Sequence, residues 1–124
     1  MNLKDWKMTS KRVRLAISPC PNDTFMFDAI VNRRIDLDGF DVEVTYLDIE
    51  QLNAAAMEGK YDVTKCSTAI LGAVGDRYAL LDSGSALGRG NGPLLVRRKG
   101  ESTPLKRIAV PGEHTTANRL VGRL

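Results

Sequence analysis

The sequence predicts an α/β fold built on a parallel sheet. Three observations carry that prediction. Apolar residues alternate with polar ones near 12–17 and 41–47, and a shorter run of the same kind lies at 61–65. Each run is followed by a helix signal, so the order is β-α-β-α-β-α, as in sheets whose strands are joined by helical crossovers. Hydrophobic residues make up 43% of the chain and charged residues 27%, a globular balance rather than that of a disordered tail.

The elements are justified in order. Val13, Leu15 and Ile17 alternate with Arg12, Arg14 and Ala16, giving the first strand. Ser18-Pro19-Cys20-Pro21-Asn22-Asp23-Thr24 interrupts it, because two prolines stop any regular element. Asn22 and Asp23 are both suitable helix caps, and Phe25, Met26, Ala29 and Ile30 lie on one stripe of the expected helix. Asp38-Gly39 marks a turn before the strand of Val42, Val44 and Tyr46. Asp48 with Gln51 three residues later forms a capping box, and Ile49, Leu52 and Ala56 give that helix an apolar face. Gly59 fits its stop. Ser67 is placed to cap a third helix of small apolar residues ending near Gly75.

Beyond Gly75 the pattern weakens. Tyr78–Leu81, Pro93–Arg98 and Arg107–Val110 read as short strands, and a helix begins near Thr116. Gly84, Gly88, Gly90 and Gly92 crowd a segment that precedes a strand and lacks a Gly-Lys-Ser/Thr ending, so it reads as a backbone crossing, not a phosphate loop. A lone strand and a helix of about eight residues are not stable by themselves. The sequence therefore reads as the front of a larger protein.

Composition excludes several functions. Residues 95–124 carry seven Lys/Arg against two acids, and residues 1–94 carry eleven against thirteen. With only 6% aromatics, this terminal charge reads as solvated surface rather than a nucleic-acid interface. The longest uncharged apolar stretch, Ser67–Gly75, is too short to span a bilayer. No apolar core follows the basic residues of Met1–Arg14, so no secretory signal is expected. Cys20 and Cys66 make no disulfide framework, and with the single His114 they give no zinc spacing. A cytoplasmic protein without metal or membrane contact is the expectation.

Three loops stand where a strand runs into a helix: Ser18–Thr24, Lys65–Ser67 and Gly112–Ala117. In open α/β sheets that edge binds ligands. Ser18, Asn22, Thr24, Ser67, Thr115 and Thr116 bring neutral hydrogen-bonding groups and Lys65 a cation, a set suited to a polar organic anion with several hydroxyls. Plainer roles exist for each. Ser18–Asp23 serves as a turn, Ser67 as a cap, Lys65 as a side chain reaching solvent, and His114 as a loop residue. Cys20, between prolines, has no base beside it in sequence.

Ser18-Pro-Cys-Pro-Asn-Asp-Thr-Phe carries a resemblance, as do Thr64-Lys-Cys-Ser67, Ala86-Leu-Gly-Arg-Gly-Asn-Gly-Pro-Leu94 and Val110-Pro-Gly-Glu-His-Thr-Thr-Ala117. In order and spacing, from Val13 to about Asn118, the chain resembles the 1,4-dihydroxy-6-naphthoate synthase family of the futalosine route to menaquinone. The resemblance implies a type II periplasmic-binding-protein fold, with two lobes closing over a ligand. Residues 1–11 would be an N-terminal extension, 12–103 an incomplete first lobe and 104–124 the start of the second. It implies cyclic dehypoxanthinylfutalosine as the small-molecule substrate, carbon–carbon cleavage as the reaction, and no cofactor or metal. Lys65, Cys66, Ser67, Thr116 and Ala117 match the family's ligand contacts, and Ser18, Asn22, Thr24, His114 and Thr115 are expected to line the cleft. Family members run to more than twice this length, and their general-base histidine would lie beyond Leu124. The resemblance thus assigns no catalytic residue here, and the chain is expected to be an inactive fragment. A solute-binding module of the same fold and a chorismate dehydratase-like enzyme are the alternatives. Nucleic acid and membrane are not expected partners.

Overall fold

The computed structural model describes residues 11–90 and 92–123. Most of the expected N-terminal extension, Asn91 of the glycine-rich segment and Leu124 lie outside the described residues. Three parallel strands form one sheet in the order β2-β1-β3: β1 (Lys11–Ile17), β2 (Phe40–Tyr46) and β3 (Val63–Thr64). β1 pairs with β2 along its whole length, Val13 opposite Val42 and Ile17 opposite Tyr46, and with β3 at Leu15 and Ala16. Leu15, Ala16 and Ile17 are all buried, so the end of the central strand is covered on both faces, as in sheets with helical crossovers.

The first crossover is α1 (Pro21–Met26) and α2 (Asp28–Val31), separated by Phe27. This corrects the expected single helix capped at Asn22 or Asp23. Cys20 is the cap and Pro21 opens the helix, where its fixed φ and missing N–H cost nothing. Asp23 is then on the buried side of α1. Phe25, two residues and about 200° away, faces solvent at 86% exposure instead of joining the apolar stripe.

The second crossover, α3 (Ile49–Glu58), matches its sequence closely. Asp48 accepts from the Gln51 N–H, and Gln51 accepts from the Asp48 N–H. Gly59 ends the helix at φ 70°, a left-handed conformation that glycine adopts without a Cβ penalty. After β3, residues Thr68–Ile70 form a 3-10 turn leading into α4 (Leu71–Val74). Ala56 of α3, Ile70 and Val74 form a core cluster, against which Met57, Cys66 and Tyr78 pack.

The expected strands at Tyr78–Leu81, Pro93–Arg98 and Arg107–Val110 do not form. A strand needs a partner for its backbone N–H and C=O groups, and these segments have none among the described residues. Leu94 and Val96 are accordingly 83% and 80% exposed. The last element, α5 (Thr116–Val121), begins where the sequence predicts and is capped by Thr115.

Candidate ligand cleft at the strand ends

Because the three strands are parallel, their C-terminal ends share one edge, and each delivers a chemically useful loop there. After β1, the Ser18 N–H and hydroxyl both donate to Asp23 Oδ2, at 2.9 and 2.8 Å. Ser18 and Asp23 are both buried. After β3, Lys65 Nζ donates to the Gly84 carbonyl at 2.8 Å and lies 3.6 Å from Asp23 Oδ1. The order 2-1-3 makes the gap between β1 and β3 the switch point of the sheet, so this ion pair stands where ligands of such sheets bind.

Ser67 follows Lys65, but its hydroxyl makes no helix-capping bond. Instead it accepts from Asn53 Nδ2 at 3.0 Å, while the Ser67 N–H donates to Asn53 Oδ1 at 2.8 Å. Cys66 turns toward the core; burial pushes its thiol up from the ordinary value, with neighbouring Lys65 acting the other way.

Glu50, in the first turn of α3 after β2, holds the Gly112–Ala117 segment in place. The Glu50 carboxylate accepts from the His114 N–H at 3.1 and 3.2 Å and lies 2.6 Å from His114 Nδ1. Desolvation pulls the Glu50 carboxyl upward, but the hydrogen bonds from His114 outweigh it and hold it below its ordinary value. A Cβ on Gly112 would overlap the Glu50 side chain, so only glycine permits this approach. Beyond His114, the Thr115 hydroxyl donates to the Gly112 carbonyl and accepts from the Asn118 N–H. Thr116 Oγ1 accepts from the Ala69 N–H at 3.3 Å, and Arg119 donates to the Ala69 carbonyl at 2.6 Å. Thr116 is thus joined directly to the turn that follows Lys65–Ser67, with Ala117 in the same first turn of α5.

Ser18–Thr24 meets the Lys65–Ser67 loop through the Asp23–Lys65 ion pair, and Gly112–Ala117 meets the turn after Ser67 through the bond from Ala69 to Thr116. The side chains of Ser18, Thr24 and Thr115 bond only within their own segments. Asn22 is exposed, and the Thr24 hydroxyl donates back to the carbonyls of Cys20 and Pro21. Sequence reasoning missed Glu50 and Asn53 as organising residues and took Asp23 only for a cap. Asn53 had a readable signal: a polar residue on the apolar stripe of Ile49, Leu52 and Ala56 needs a buried partner. Among the described residues no group of three or more His, Cys, Asp or Glu is arranged to hold a metal. No helix among them is long and apolar enough to cross a membrane.

Comparison with known proteins bears on the same residues. Residues 13–122 match a family described as menaquinone biosynthesis. The chain is 50% identical over 107 residues to a 1,4-dihydroxy-6-naphthoate synthase of Thermus thermophilus, covering 85% of this chain and 39% of that protein. It is 44% identical over 111 residues to the enzyme of that name from Streptomyces coelicolor, covering 89% of this chain and 39% of the relative. The chain therefore spans about two-fifths of the length of these curated relatives.

Proposed function

The chain belongs to the menaquinone-biosynthesis family, and from that premise we propose that it forms the first wall of the substrate cleft of a 1,4-dihydroxy-6-naphthoate synthase. What supports this reading is the bond from the Ala69 N–H to Thr116 Oγ1, which ties the start of α5 to the turn that follows Lys65–Ser67. Residues 12–103 belong to the first lobe of a type II periplasmic-binding-protein-like fold, and 104–124 begin the second. The substrate is cyclic dehypoxanthinylfutalosine, cleaved at a carbon–carbon bond in a lyase reaction. Lys65, Ser67 and Thr116 contact it, with Cys66 and Ala117 shaping the wall by their backbone and small side chains. The enzyme works in the cytoplasm, where its free cysteines Cys20 and Cys66 stay reduced.

The base is supplied by the part of the family that this chain does not cover. Chain residues bind and orient; they do not take the proton. Losing general-base catalysis alone costs about 10²–10⁴-fold, and losing the opposing wall also forfeits orientation and water exclusion. The 124-residue chain is expected to form no naphthoate from this substrate. Amide shifts in ¹⁵N-labelled chain titrated with cyclic dehypoxanthinylfutalosine test the site. The proposal requires perturbation confined to residues 18–24, 65–69 and 112–117. Perturbation elsewhere, or turnover abolished by His114→Ala with folding intact, would overturn it.

A further inference from the structure

We propose that Asp23 is a positioning residue that holds the Lys65 ammonium group ready at the crevice between β1 and β3; the inference rests on the reading of Lys65 as a ligand contact. Asp23 is itself immobilised. Its Oδ2 takes both the N–H and the hydroxyl of Ser18, which follows the central strand directly. That leaves Oδ1 toward Lys65, whose Nζ is 3.6 Å away. The distance is too long for a hydrogen bond, so the attraction is that of charges. It is effective because the two side chains are withdrawn from water, at 7% and 22% exposure.

The Gly84 carbonyl holds the ammonium from another side at 2.8 Å. Lysine has three donors. Gly84 takes one, and two have no hydrogen-bond partner among the described residues. A four-carbon stem would otherwise sample many rotamers, and a ligand would have to order it on binding. Fixed between a carboxylate and a carbonyl, Lys65 has lost that freedom before the ligand arrives. A carboxylate whose whole purpose was to fasten the Ser18 turn would not need a cation beside its second oxygen.

The first measurement uses the unaltered chain. In ¹H–¹⁵N spectra of lysine ammonium groups, Lys65 should give a slowly exchanging signal of restricted motion, unlike the exposed Lys60, Lys99 and Lys106. A Lys65 signal as mobile as theirs overturns the proposal without any variant. Asp23→Asn, with its backbone spectrum checked, should release Lys65 to that mobile state; Asp23→Glu, keeping the charge, should restore part of the restriction. A folded Asp23→Asn chain in which Lys65 stays restricted also overturns it. Affinity for cyclic dehypoxanthinylfutalosine supplies a double-mutant cycle. Asp23→Asn should weaken binding about tenfold in the natural chain and less than about twofold in a Lys65→Met background. Equal losses in both backgrounds would make Asp23 merely structural. If the natural chain binds no substrate, the reading of the site fails, while the ammonium signals still decide whether Asp23 positions Lys65.

Discussion

Glu50 binds His114 across 64 positions of sequence, through both the backbone N–H and the ring. Each such bond contributes about 1 kcal/mol net, and a hydrogen bond to a charged group somewhat more. Glu50→Ala should therefore destabilise the chain by about 1–2 kcal/mol and speed hydrogen exchange at the His114 amide, leaving the amides of β1 unaffected. Gly112→Ala should produce the same local release, because its new methyl group occupies the space of the Glu50 side chain. The pH dependence has a definite sign. Glu50 titrates below its ordinary value when folded, so its contribution is full above the unfolded value of 4.5 and is lost as pH falls. Asp62, held down to about 2 from 3.8 by its hydrogen bonds with the Arg14 side chain and backbone, acts in the same direction. Asp62→Asn should flatten the acid limb of a stability–pH curve between 3.8 and about 2, measured by thermal melts. None of these long-range partners is written in local pattern. Glu50 sits in a helix's first turn, where an acid is already explained by the helix dipole.

Elements were most legible where local chemistry decided them. The Asp48–Gln51 box and the Gly59 stop fixed both ends of α3, and Asp48→Ala should cost about 1 kcal/mol. The strand alternation located β1 and β2, in which Val13 and Leu15, and Val42 and Val44, are less exposed than the charged residue between each pair. The segments at Pro93–Arg98 and Arg107–Val110 each carry a short apolar run, but pairing is not a local property, and among the described residues no strand lies beside them. Asn53 shows how one residue ties elements together. It is fully buried in α3 and holds both polar groups of Ser67 after β3. Asn53→Ala strands the N–H and hydroxyl of Ser67 away from water, so a loss of about 2–3 kcal/mol is expected. Denaturant unfolding measures it, and Asn53→Ala/Ser67→Ala together should recover part of the loss.

At the scale of the whole molecule, strand order does the gathering. Placing β1 between β2 and β3 brings Ser18, Glu50 and Lys65 to one edge, although 47 positions separate the first and last. The neighbouring of the first two loops was legible because parallel strands put the junctions after β1 and β3 on the same side, whereas Gly112–Ala117 follows no strand, since Arg107–Val110 forms none. The bonds from His114 to Glu50, from Lys65 to the Gly84 carbonyl and from Ala69 to Thr116 were not legible, since each joins residues far apart in sequence. The most direct measurement replaces the matched 107 residues of the Thermus thermophilus relative with those of this chain and assays the chimera. Naphthoate formed from cyclic dehypoxanthinylfutalosine is followed by chromatography. The cleft described here predicts turnover that drops about 10²-fold on Lys65→Ala, through misplacement of the substrate, with the thermal melt preserved. A folded chimera without turnover, or turnover indifferent to Lys65→Ala and Ser67→Ala alike, would contradict it.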